Sequence, residues 1–200
     1  MDRRLFLLSA FALAGFSSGA AASGDKDRDF NFGSTFQPKP RNRRPSYGGK
    51  QTVSYATKEK PGTVIVKTRE RRLYYVLPGG KAIQYGVGVG RQGFEWAGVA
   101  RIGAKQTWPE WRPPQEMIER EFAQYGRRLP DVMPGGPSNP LGARALYLFQ
   151  GQRDTLYRIH GTNAPQTIGQ AMSSGCIRML NEEVIDLHDR VKIGAKVIVI

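Results

Sequence analysis

From Thr63 to the end, the chain is cut into short apolar runs, β-branched or aromatic, each stopped by glycine, proline or charge. Thr63-Val64-Ile65-Val66 and Leu73-Tyr74-Tyr75-Val76-Leu77 flank the charged Arg69-Glu70-Arg71-Arg72, which is the pattern of a hairpin. Pro78-Gly79-Gly80 signals a turn, and Ala82–Val89 continues as a third strand. Gly98–Ile102 reads as a further short strand. Ala145–Phe149 and Leu156–Ile159 read as a strand pair across the polar turn Gln150–Asp154, and Lys196–Ile200 as a terminal strand. Thr167–Met172 reads as a short helix or turn, and two longer segments have helical character. Met117, Ile118, Phe122 and Tyr125 fall on one side of Gln115–Tyr125, and Asn181 reads as the N-cap of Glu182–Val191, with Glu182 and Glu183 in its positive first turn. A chain built this way is mainly β with a few short helices, its strands in two packed layers.

The chemistry concentrates in His160–Leu180. This stretch holds Cys176, the one cysteine of the chain, and His160, one of two histidines. A thiol has a reference pKa of about 8.5 and needs a base to become a nucleophile at neutral pH; imidazole is the usual one. His160 follows the strand Leu156–Ile159, and Cys176 follows the small residues Ser173-Ser174-Gly175. The pattern assigns Cys176 as nucleophile and His160 as general base, later the acid for the leaving amine. The backbone amides of Gly175 and Cys176, helped by Ser174, are the candidates for an oxyanion hole, where each donor is commonly worth about 3 kcal/mol.

Other chemistries fit less well. There is no Cys-x-x-Cys or His-x-x-x-His spacing for a metal. Gly86-x-Gly88-x-Gly90 has the wrong spacing for a dinucleotide site and no helix after it. Papain-like enzymes usually place cysteine before histidine, and here histidine comes first. His188, beside Asp189 in the second helix, reads as structural or exposed.

His160-Gly161-Thr162, followed by Ser173-Ser174-Gly175-Cys176-Ile177-Arg178-Met179, resembles the signature of the L,D-transpeptidases, the YkuD-like peptidoglycan cross-linking enzymes. Asn139-Pro140-Leu141-Gly142 and Tyr85–Gly90 are similar to the family too. Ser174 stands where that family usually has a second histidine. The resemblance covers roughly Thr63 to Ile200 and implies a compact β-sandwich-like domain. It further implies a cysteine acyl-enzyme that releases D-alanine from a peptidoglycan stem peptide and forms 3→3 cross-links, with no cofactor or metal. In this reading the Gly161 carbonyl orients His160. Arg178 either binds a stem-peptide carboxylate or pairs with Asp186 or Glu182. Trp108 and Trp111, set among prolines, either wall a substrate cleft or cap the core. The same acyl-enzyme with water, a free D-amino acid or a protein amine as acceptor is an alternative. So are a non-catalytic wall-binding module and a redox-sensing thiol protein.

Ahead of this domain, Arg3-Arg4, the apolar run Leu5–Phe16 and Ala20-Ala21-Ala22 describe a secretory signal over residues 1–22, by the Sec or twin-arginine route. Residues 23–61 read as a flexible basic linker rich in proline and glycine, leaving 62–200 as the catalytic domain. The formal charge of +13 suits nucleic acid, an anionic membrane surface or an acidic polymer. Export to the periplasm removes nucleic acid. The linker then either holds the enzyme near anionic envelope polymers or lipid head groups, or serves only as a solvated spacer.

Overall fold

The structure, a computed structural model, describes residues 49–91, 96–173 and 175–200. The signal segment and most of the linker lie outside the described residues.

Nine strands form one mixed sheet. In chain order the elements are β1 (Gln51–Ser54), β2 (Val64–Lys67), β3 (Arg72–Leu77), β4 (Lys81–Gly86), β5 (Val89–Gly90), β6 (Gly98–Thr107), α1 (Gln115–Tyr125), β7 (Arg144–Gln150), β8 (Arg153–His160), β9 (Ala171–Ser173), β10 (Ile177–Arg178), α2 (Asn181–Arg190) and β11 (Lys196–Val199). The large sheet runs β1-β4-β3-β2-β11-β6-β7-β8-β10, and β5 pairs with β9 in a small parallel sheet. Among the described residues the fold is mainly β with two α-helices, as the sequence pattern indicated. The hairpin β2–β3 and the pair β7–β8 form antiparallel ladders where they were expected. The third strand stops at Gly86 instead of continuing to Val89.

The two layers arise because the sheet rolls up. Beyond β4 the chain reaches β10, at the opposite end of the strand order, where the Gly88 N–H donates to the Arg178 carbonyl and the Arg178 N–H returns a bond to Gly88. A Cβ on Gly88 would sit 2.9 Å from the Thr167 carbonyl oxygen, so glycine permits this approach. Val64, Val66, Leu73, Tyr85, Ile102, Leu148, Ile159, Val197 and Val199 fill one core together with Val184 and Leu187 of α2. The terminal strand lies in mid-sheet, parallel to β2 and antiparallel to β6.

The linker does not extend to Pro61 as expected. Gln51–Ser54 pairs with β4 and covers what would otherwise be its open edge. Tyr55 stacks on Tyr74 at 4.5 Å, and with Val53 it borders a second apolar cluster of Ile65, Tyr74, Val76 and Ala82. Burial of these two side chains orders a segment whose surroundings are polar. α1 has the expected bounds and ends on Gly126 in the left-handed region, yet no residue of it is buried, and Phe122 and Tyr125 remain exposed.

Candidate active site

β8 and β10 are parallel neighbours, with Ile177 opposite Ile159 and Arg178 opposite His160. Ile159 and Ile177 are buried in the core. Strand alternation therefore puts Arg158, His160 and Arg178 on the other face. Cys176, one step before β10, continues that register opposite Arg158.

His160 is almost fully buried, and its Nδ1 lies 2.6 Å from the Gly161 carbonyl oxygen. A carbonyl only accepts, so Nδ1 carries the proton and Nε2 keeps its lone pair. The expected pairing of His160 with Gly161 is present. Burial is the largest influence on the ring and pushes its pKa down to about 4. The Arg178 and Arg158 charges act in the same direction, against the Gly161 and Leu141 carbonyls. Cys176 is a free thiol. Burial pushes its pKa up, outweighing the Arg158 backbone N–H and the Arg158 and Arg178 guanidinium groups, which favour thiolate. At rest the pair is a neutral thiol and a neutral imidazole.

The turn after His160 is fastened by Asn181. Its Oδ1 accepts from Ala143 N–H at 2.9 Å and Thr162 N–H at 3.2 Å, while Nδ2 donates to the Thr162 carbonyl at 3.1 Å. A Cβ at Gly142 or Gly161 would collide with that Oδ1. Asn181 is therefore a clamp and not the helix cap expected from the sequence. It makes no capping bond, and the N-cap position falls on Leu180. A second buried amide, Asn139, donates to the carbonyls of Pro109, Met133 and Pro134 and accepts from Leu141 N–H.

On the cysteine side, Gly175 has φ 112°, a conformation that favours glycine. Its N–H donates to Ser173 Oγ at 3.2 Å, and Ser173 Oγ donates to the Cys176 carbonyl at 2.5 Å. Of the expected oxyanion donors, Gly175 is thus engaged at rest. Cys176 N–H has no acceptor among the described residues, and Ser174 lies outside them.

Arg178 is half-buried and, among the described residues, has no carboxylate partner. Asp186, one proposed partner, is bound instead by Arg190, Lys50 and the Tyr85 hydroxyl. Arg158, which sequence reasoning did not single out, is held by both oxygens of Asp154 and lies 4.2 Å from the Tyr147 ring centre. Its position two residues before His160 on a strand is the signal that could have found it.

Trp108 follows the end of β6, where Thr107 faces Arg144. Its N–H bonds to the Ala143 carbonyl, its ring is exposed and its φ is 46°. Trp111 bonds in both directions with Met133. The structure thus brings together His160, Gly161, Cys176, Gly175 and Arg178 and sets Trp108 beside their frame, while Trp111 pairs with Met133. His188 lies near the end of α2 beside Asp189. Among the described residues no three metal-ligating side chains are grouped.

A family model for the L,D-transpeptidase catalytic domain (YkuD) matches residues 61–199. A probable L,D-transpeptidase, ErfK/SrfK of Escherichia coli K12, is 38% identical over 142 residues, 68% of this chain and 43% of that protein. The chain thus spans under half the length of that curated relative. A solved structure of a Mycobacterium smegmatis L,D-transpeptidase aligns with a TM-score of 0.51 at 15% identity over 69% of this chain and 58% of that one, a likeness of fold. A Brucella melitensis structure described as a probable carnitine operon oxidoreductase is 51% identical, with a TM-score of 0.53, over 78% of this chain and 96% of that one. That description belongs to the Brucella protein. The glycine run here pairs with β10 at Gly88 and, among the described residues, opens no helix.

Proposed function

Because the chain belongs to the L,D-transpeptidase catalytic domain family, we propose that it is a periplasmic peptidoglycan L,D-transpeptidase that forms 3→3 cross-links through a Cys176 acyl-enzyme. The observation that carries this reading is the β8–β10 register. It sets His160 and Cys176 on one face of adjacent strands, with Nδ1 tied to Gly161 and Nε2 left as proton acceptor.

In this mechanism His160 Nε2 takes the thiol proton as Cys176 Sγ attacks the carbonyl between the L-centre of meso-diaminopimelate and the terminal D-alanine. The carbonyl oxygen becomes an oxyanion beside Cys176 N–H. Gly175 N–H joins as a second donor once it leaves Ser173 Oγ. Collapse breaks the C–N bond, the imidazolium gives its proton to the departing amine, and a thioester remains. An acceptor amine, typically the side chain of a second diaminopimelate, then repeats the steps in reverse and frees the thiol. One amide replaces another, and ping-pong kinetics follow.

A neutral resting pair means that thiolate forms during attack rather than before it. Arg178 disfavours imidazolium in the free enzyme. A stem-peptide carboxylate bound there would cancel that field, coupling donor binding to activation of the base. Arg3-Arg4, Leu5–Phe16 and Ala20-Ala21-Ala22 support export with cleavage near Ala22, followed by a basic linker that ends before β1.

Incubation with tetrapeptide-stem muropeptides tests the reading. Release of D-alanine with formation of a 3→3 dimer is expected for the wild type and not for Cys176→Ala. Equal turnover by both would overturn it.

A further inference from the structure

A cleft of about 810 Å³ opens at the C-terminal end of α2, and neither His160 nor Cys176 lines it. Its walls come from the segment entering β2, the end of β3 with Pro78, and the start of β11. Lys58, Lys60, Arg190, Lys192 and Lys196 contribute five positive charges against Glu59 alone. Lys196 is neutralised by Glu59 and Arg190 by Asp186. Among the described residues, Lys58, Lys60 and Lys192 have no ion pair, and all three are exposed. Tyr75, Val76, Leu77 and Pro78 supply an apolar wall.

Three solvated ammonium groups beside an apolar wall repel one another unless an anion joins them. Lysine ammoniums are point charges on flexible stems, suited to carboxylates spread along a polymer rather than to one planar group held by a fork. The cleft also has a fixed relation to the thiol. Asn181 at one end of α2 clamps the His160 turn, and Arg190 at the other end lines the cleft. Nine residues of helix separate them by about 14 Å.

We propose that this cleft is a second binding site for peptidoglycan, holding the stem-peptide carboxylates of a sacculus strand while the Cys176 site works on a stem nearby. The polymer as ligand rests on the transpeptidase reading; the anion site itself rests on the cleft.

The test is pull-down of the full chain on purified sacculi across a salt series, beside turnover of a small soluble tetrapeptide muropeptide. The variants are the triple change Lys58→Gln, Lys60→Gln, Lys192→Gln and, as control, the charge-retaining triple change to Arg. We expect the Gln variant to bind sacculi about tenfold more weakly at low salt and to lose most of its salt dependence. The Arg variant should bind like wild type, and soluble turnover should stay within about twofold for both. Sacculi with carboxylates coupled to a neutral amine should no longer retain the wild type. Unchanged retention of the Gln variant, equal retention on blocked sacculi, or binding to anionic phospholipid vesicles in place of sacculi would each overturn the proposal. Cys176→Ala separates the two claims: it should abolish turnover and leave retention unchanged, so failure of the catalytic reading shows in turnover and failure of the cleft in retention.

Discussion

At the scale of single residues, burial decides how the thiol is activated. Lowering His160 from the ordinary imidazole value of 6.5 to about 4 adds about 3 kcal/mol to the cost of moving a proton from Cys176 to the ring. The rise of the thiol pKa adds more. The base must be neutral to accept a proton, so kcat/KM should hold down to about pH 5 and fall by half near pH 4. An acid limb near 6.5 would show that the free ring is solvated. Arg178→Gln removes a positive charge facing the ring, so it should move the acid limb upward and raise KM for donors bearing a carboxylate; an unmoved limb would remove Arg178 from this role. Asn181→Ala leaves Ala143 and Thr162 N–H groups without their acceptor. It should cost about 2–4 kcal/mol in a denaturant titration and lower kcat more than it changes KM, because the turn that aims His160 loosens.

At the scale of elements, α2 ties the site to the rest of the domain. Its C-terminal carbonyls are met by Lys105 of β6, which donates to Val191 at 2.8 Å and also to His188. A cation there answers both the unpaired carbonyls and the helix dipole. Lys105→Met should therefore lower stability by about 1–2 kcal/mol by thermal or chemical melting while leaving the thiol reactive. The elements themselves were largely legible in the sequence. Short apolar runs, β-branched or aromatic, marked β2, β3, β7, β8 and β11, and α1 was read to its observed ends. What escaped was whatever depended on a distant partner. Asn181 reads as a cap because asparagine before an acidic turn usually is one, whereas its real partners are Ala143 and Thr162, which β7 and β8 bring alongside. β1 escaped because its own residues are polar or small, and its order comes from β4 and from Tyr55 on Tyr74.

At the scale of the whole molecule, the rolled sheet explains both the burial of the site and its response to acid. His160 and Cys176 were legible as a pair from their spacing and neighbours. Their neutrality was not, since it follows from the burial that comes with Gly88, beyond β4, pairing with β10; Arg158 and Arg178 add to it for the imidazole and oppose it for the thiol. In the unfolded chain His160 takes up a proton near pH 6.5, whereas in the fold it does so only near 4. The unfolded state thus binds more protons between these values, and the stability present above pH 6.5 is lost as pH falls, by about 3 kcal/mol in total. Denaturant midpoints measured from pH 7 to 4 should fall for the wild type and fall less for His160→Gln; parallel curves would assign the loss elsewhere. The central claim, that Cys176 carries the acyl group, is tested most directly by intact mass after mixing with a tetrapeptide-stem donor whose diaminopimelate side-chain amine is blocked, so that no acceptor amine is present. The wild type should gain the mass of the donor less D-alanine, and Cys176→Ala should gain nothing. An unmodified wild type that still forms cross-links, or an equal adduct on Cys176→Ala, would contradict the account.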